Sequence, residues 1–171
     1  MDLNEDAIAL AKKHIASSLF SFHTESVYDL KSQPDNSFDL VICWQTLSWL
    51  DQPEQALKEL VRIAKPGAKI FLSSLFNLDR EVDVYSKVVD HTAKGAVKGW
   101  SYNYNTYSIN SVDKWLKGIA SGHRIVPFHP QIDLTFAGKG IGTHTEKMEN
   151  GTRLQFSGGM LLNWGVLIIT K

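Results

Sequence analysis

Apolar residues at Ala7, Ile8, Ala11 and Ile15 recur at the spacing of one helix face, behind Asn4 as an N-cap. Glu5 and Asp6 suit the positive end of the helix dipole, so a helix is predicted almost from the first residue. Residues 19–23 alternate and predict a short strand, with a turn at Gln33-Pro34-Asp35-Asn36. Phe38–Cys43 is a nearly continuous apolar run and predicts a parallel strand buried on both faces. Asp51, Pro53 and Glu54 predict the next helix start through a capping box, with Ala56, Leu57, Leu60, Val61 and Ala64 as its buried stripe. Lys65-Pro66-Gly67 then reads as a type II turn with positive φ at the glycine, and Lys69–Ser73 as a strand. Strand, helix, turn and strand make a βαβ unit, whose crossover is right-handed.

Downstream the pattern predicts a helix near residues 80–95, an aromatic stretch over residues 100–107, and a helix from Val112 to Ala120 capped by Ser111. The remainder turns β-like. Arg124–Phe128 is a candidate strand, Thr143–Lys147 and Thr152–Ser157 can pair across Asn150-Gly151, and Trp164–Thr170 is a final apolar strand.

Composition narrows the function classes. The chain has 171 residues, 43% hydrophobic and 21% charged, enough for one globular domain that needs no disulfide or metal staple. The formal net charge of +0 argues against a dedicated nucleic-acid binder. No stretch approaches the ~18 apolar residues of a membrane span, and the polar, acidic start is unlike a signal peptide. The single Cys43 fits a reducing compartment, so a cytoplasmic location is expected.

Phe38-Asp39-Leu40-Val41-Ile42, then Leu47-Ser48-Trp49-Leu50, Pro53, Leu57-Lys58-Glu59-Leu60, Arg62 and Lys65-Pro66-Gly67, resembles the middle of class I S-adenosylmethionine-dependent methyltransferases. Asp2-Leu3-Asn4-Glu5 leading into Ala7, Leu10 and Ala11 is similar to the end of that family's second strand and the following helix. The resemblance is specific over residues 1–75 and looser afterwards. It implies an α/β fold: a Rossmann-like, mostly parallel sheet with an antiparallel last strand and a β-hairpin insertion over residues 138–160. Residues 1–171 then form a single, partial domain, with residues 76–122 as a substrate-side helical and aromatic lid. The first strand and its glycine-rich loop have no counterpart here; Gly138-Lys139-Gly140-Ile141-Gly142 leads into β-like sequence and is discounted as a cofactor loop. The expectation is a chain lacking the first βα unit and impaired in cofactor binding.

The resemblance implies S-adenosylmethionine as cofactor, with Asp2 accepting from the ribose hydroxyls and Leu3 beside it. Ser26 and Val27 fall at the adenine position, where the family usually has an acidic residue, and Cys43 and Trp44 fall along the methionine portion. An aromatic face attracts a sulfonium, so Trp44 and Trp49 are candidates for that contact or for core packing. Loops at the C-terminal strand ends place Phe76, Arg80, Tyr102, Tyr104 and Arg153 toward substrate. His144 and His91 are candidate bases because imidazole titrates near neutral pH, against the alternative that each is structural or exposed. The stretch Cys43-Trp44-Gln45-Thr46 lacks the motif of nucleobase amine methylation. The tail from Gly142 to Trp164 is similar to methyltransferases of sugar and surface-polysaccharide pathways. Methyl transfer to a hydroxyl or amine of a small molecule is therefore expected, a sugar or related metabolite among the candidates. The alternative is a non-catalytic pseudo-methyltransferase that binds or scaffolds, as a homodimer or with its sheet completed by another chain.

Overall fold

The computed structural model describes residues 1–92 and 101–171. Helix α1 (Glu5–His14) starts where the pattern puts it: Asn4 Oδ1 accepts the N–H groups of Asp6 (2.9 Å) and Ala7 (3.2 Å), satisfying two otherwise unpaired donors. Residues 19–23 form no strand, contrary to expectation. Only Thr24 pairs, with Asp2, in an isolated parallel bridge. Leu19 is 88% exposed, so the alternating residues have no apolar surface to lie on.

Strand β1 (Phe38–Cys43), a 3-10 turn (Leu47–Trp49), helix α2 (Pro53–Ile63) and strand β2 (Ala64–Asn77) form the βαβ unit, with β1 and β2 parallel. Gly67 has φ +79°, as the Lys-Pro-Gly turn requires. The β1–β2 register shifts there, from Phe38 opposite Ala64 to Leu40 opposite Lys69. The capping box at Asp51 does not form. Gln52 is the N-cap and contributes no side-chain bond. Instead the Tyr28 hydroxyl accepts the N–H groups of Asp51 (3.0 Å) and Gln52 (3.3 Å) and donates to Asp51 Oδ1 (2.5 Å). A tertiary partner thus holds the two residues that lead into α2.

At its other end α2 holds the loop before β1. Arg62 donates to both Glu59 oxygens (2.9 Å each), to Asp35 (2.6 Å), and to the carbonyls of Gln33 and Leu30 (2.9 Å each). The planar guanidinium satisfies these fixed directions at once.

Residues 80–92 contain no helix, correcting the expectation of one at 80–95; residues 93–95, like Trp100 of the aromatic stretch, lie outside the described residues. Strand β3 (Lys87–Val89) pairs antiparallel with β4 (Ser101–Asn103), and Val84 bridges Thr106. Val82, Val84, Val88 and Val89 are β-branched and favour extended backbone. Strand β5 (Tyr107–Ser108) leads into α3 (Ile109–Leu116), which begins three residues before the expected Val112. Its N-cap is Ser108 rather than Ser111; both are held by Asp83, which accepts Ser108 N–H (2.7 Å) and the Ser111 hydroxyl (2.5 Å).

Strand β6 (Gly122–Pro127) and the last strand β10 (Trp164–Thr170) complete the main sheet, ordered β1-β2-β10-β6 with β5 beside β2. Strand β10 is antiparallel to both neighbours, as expected of the final strand. Strands β7 (Thr143–Lys147) and β8 (Arg153–Ser157) form the hairpin, and β9 (Met160–Leu161) adds to it. The core lies between the sheet and α2 and α3, where Leu57, Ile70, Leu72, Val112, Leu167 and Ile169 are fully buried. Strand β1 departs from the fully buried expectation: Val41 is buried, but Leu40 and Ile42 are 51% and 64% exposed. Among the described residues β1 pairs only with β2 and no element covers its second face.

Candidate functional site

A cavity of about 570 Å³ lies between the Asp2–Thr24 bridge and the C-terminal end of β1. This size suits a small-molecule site, and its position at a strand's carboxyl end is where α/β sheets bind ligands. Its wall includes Asp2, Leu3, Ser26, Val27, Cys43 and Trp44, the six residues assigned to the cofactor from sequence. Asp2 Oδ1 accepts Asn4 N–H (2.8 Å), and the carboxylate retains further lone pairs.

Glu25, which sequence reasoning did not single out, also lines the cavity. Its Oε1 accepts Ser32 N–H (2.8 Å), while Oε2 is buried without a hydrogen-bond partner. The bond from Ser32 holds its carboxyl below the usual carboxylate range, against the opposing effect of desolvation. An ionised oxygen turned from water without a donor is a place for a ligand N–H or O–H. An acid therefore stands in the wall one residue before Ser26, and its residue type was visible in the same string.

Tyr28, Thr46 and Leu50 also line the wall, and none was legible locally. Tyr28 is set by its bonds to Asp51, and Thr46 donates to the Trp44 carbonyl (3.1 Å). Gln45 has φ +51°, a left-handed conformation rare for this residue type. It is held there by Ser73, whose hydroxyl accepts from Gln45 N (2.8 Å) and Nε2 (3.3 Å). Burial pushes the Cys43 thiol up, so it is a neutral wall group rather than a nucleophile.

Trp44 stands at the cavity, 55% exposed. Trp49 also lines it and packs against Tyr102 (5.0 Å between centroids) and Tyr104 (4.7 Å). These tyrosines therefore reach the cavity through Trp49, and burial pushes the Tyr104 phenol up to about 12. Asn105 reinforces this contact by donating from its backbone to the Ser48 carbonyl (2.8 Å) and from its side chain to Leu50 (3.0 Å).

The remaining sequence candidates lie elsewhere. Phe76 is 1% exposed in the core, correcting its placement toward substrate: β2 carries it inward beneath Gly165. Arg80 is exposed and donates to the neighbouring Asp79 carbonyl (3.4 Å). Arg153 is engaged by Asp133 (2.9 Å) at the turn end of the hairpin. His91 is exposed in a loop. His144 stacks on Phe156 (6.0 Å) and lines a separate cavity with Phe136 and Lys139. Neither histidine lines the Asp2 cavity.

A family model described as a methyltransferase domain matches residues 1–72. The ubiquinone biosynthesis O-methyltransferase of Xanthomonas oryzae pv. oryzae is 34% identical over 77 residues, 44% of this chain and 32% of that protein. The Dechloromonas aromatica protein of the same name is 31% identical over 77 residues, 44% of this chain and 33% of its own. The match thus spans about a third of the length of these curated relatives. Among solved structures, a SAM-dependent methyltransferase of Methanosarcina mazei has TM-score 0.53 and 15% identity, covering 99% of this chain and 79% of its own. An S-adenosylmethionine-dependent methyltransferase of Mesorhizobium loti has TM-score 0.56 and 10% identity, covering 99% and 78%. Among the described residues no helix is long and apolar enough to cross a membrane. Residues 1–72 thus match a methyltransferase domain, and the fold over nearly the whole chain is the one found in S-adenosylmethionine-dependent methyltransferases.

Proposed function

We propose that the protein transfers a methyl group from S-adenosylmethionine to a hydroxyl or amine of a small molecule, with the Asp2 cavity as the cofactor site. The observation that carries this reading is the gathering of Asp2, Leu3, Ser26, Val27, Cys43 and Trp44 around one cavity, with the unpartnered Glu25 Oε2 in the same wall. These residues fit the cofactor's chemistry: Asp2 can accept from ribose hydroxyls, Glu25 from the adenine amine, and Val27 can pack on the base. When bound, the cofactor supplies an electrophilic methyl on a sulfonium. The chain's own part is alignment and exclusion of water, with Trp44 offering an aromatic face to the cation. The names of the curated relatives favour a hydroxyl acceptor over an amine.

The cavity wall contains no glycine-rich strand–helix turn among the described residues, so backbone N–H groups for the methionine carboxylate are few. That observation supports weakened cofactor binding by this chain, and with the open β1 edge it also favours the second reading, a non-catalytic scaffold. Calorimetric titration with S-adenosylhomocysteine separates the cases. Weak binding is expected, diminished roughly tenfold or more by Asp2→Ala and by Glu25→Gln. Micromolar binding to the monomer would overturn the impairment. No binding, with stable cofactor-free dimers in sedimentation, would establish the scaffold instead.

A further inference from the structure

A second cavity, of about 590 Å³, is walled by residues of the segment 134–145 and by the Gly158-Gly159 turn between β8 and β9. The string Gly138-Lys139-Gly140-Ile141-Gly142, which leads into β7 rather than into a helix, supplies much of this wall. Its neighbours fix its shape. The Phe136 ring occupies the space that side chains on Gly138 and Gly142 would need. Asp90 Oδ2 accepts Ile141 N–H (2.9 Å), while Oδ1 accepts the Thr92 hydroxyl (2.6 Å) and N–H (2.8 Å). Hydrogen bonds from the Thr92 hydroxyl and from the Ile141 and Thr92 N–H groups hold the Asp90 carboxyl down at about 2. Asp90 itself does not line the cavity.

The wall is rich in donors. The N–H groups of Gly138, Lys139 and Gly140 have no hydrogen-bond partner among the described residues. Gly158 and Gly159 have φ +56° and +81°, the left-handed pair of a two-residue hairpin turn. Successive N–H groups in such turns form concavities that take anions. Lys139 adds an ammonium that joins no ion pair among the described residues. Thr145 Oγ1 accepts Leu134 N–H (3.0 Å), which leaves its own hydrogen to donate, and the His144 ring brings a further N–H. Among the described residues no carboxylate lines the cavity; Glu146, 3.5 Å from His144 Nε2, stands outside the wall.

We propose that this cavity binds the phosphate group of a small phosphate monoester. Donors come from the loop, the turn, Lys139 and Thr145, and a tetrahedral dianion accepts from several directions, whereas a carboxylate accepts near one plane. The cavity is larger than a phosphate alone fills, and Leu134 with Phe136, 40% exposed, offers apolar surface to the esterified part. This site is independent of the cofactor reading of the Asp2 cavity, with which it shares no lining residue.

The test is amide-detected NMR titration of the whole chain with phenyl phosphate, inorganic phosphate and benzoate. Phenyl phosphate is expected to bind most tightly and to shift the amide signals of Gly138, Gly140, Gly158 and Gly159. Lys139→Ala should weaken that binding by roughly five- to tenfold, and the charge-retaining Lys139→Arg by less than about twofold. Lys139 is exposed, so the thermal melt should be unchanged in both variants. Benzoate binding as tightly as phenyl phosphate, shifts confined to amides away from these glycines, or unchanged affinity in Lys139→Ala overturns the proposal. Inorganic phosphate binding as tightly as phenyl phosphate overturns the esterified occupant.

Discussion

Strands β1 and β10 flank the same strand, β2, and both are apolar, yet they end in different surroundings. In β10 Leu167 and Ile169 are fully buried, and the strand is paired on both edges. In β1 only Val41 is buried, and the alternate residues Leu40 and Ile42 face outward, more than half exposed. Apolar composition states what a strand can bury; neighbours on its edge and faces decide what it does bury. The less covered strand is also the one beside the cavity.

Substitutions sharpen this contrast, beginning with the largest effect. Leu72 is fully buried between Cys43 of β1 and Leu167 of β10, so Leu72→Ala should lower unfolding free energy by about 3 kcal/mol in denaturant titration. The corresponding Ile42→Ala should cost within about 0.5 kcal/mol, because that side chain is 64% exposed. Equal losses would show that β1 is covered in solution.

The next effect concerns the clamp between α2 and the cavity loop. Hydrogen bonding from Arg62 holds the Glu59 carboxyl below its ordinary value of 4.5, assisted by Leu30 N–H, although partial burial opposes this. Because the folded value is depressed, the stabilisation is present above pH 4.5 and disappears as pH falls through the folded value. Glu59→Gln should therefore destabilise by roughly 1 kcal/mol at pH 7 and flatten the acid limb of a melting-temperature profile. An acid limb identical to wild type would assign the effect to other carboxylates. The smallest change is expected from Ile42→Lys: stability within about 0.5 kcal/mol of wild type, and less concentration-dependent association in sedimentation if the open strand is the contact. Unaltered association would place the contact elsewhere.

Local patterns were legible wherever one segment contained its own reason. Asn4 capped α1, Gly67 took the positive φ of the turn, and Trp164–Thr170 formed the last strand with the expected bounds. Misreadings occurred where a distant residue intervened. Tyr28 tied down the Asp51 and Gln52 N–H groups ahead of α2, whose N-cap is Gln52 rather than Asp51, and Asp83 fixed the start of α3 at Ser108. Phe76 sat at a strand end suited to substrate by position, but the inward side of β2 and close packing under Gly165 made it core. Glu25 is a milder case, because its residue type was visible and only the position within the wall was not.

The amino-acid sequence alone determined the βαβ unit and the order of apolar strands, since helical and strand periodicity and turn chemistry act within a few residues, whereas the cofactor candidates came from a resemblance to a family. Tertiary structure decided which apolar residues are covered, which histidines stand away from the cavity, and how Trp44, Phe128 and Trp164 form one row. Those three aromatics are separated widely in the chain, and only parallel β1 and antiparallel β10 within one sheet bring their ends to the same edge.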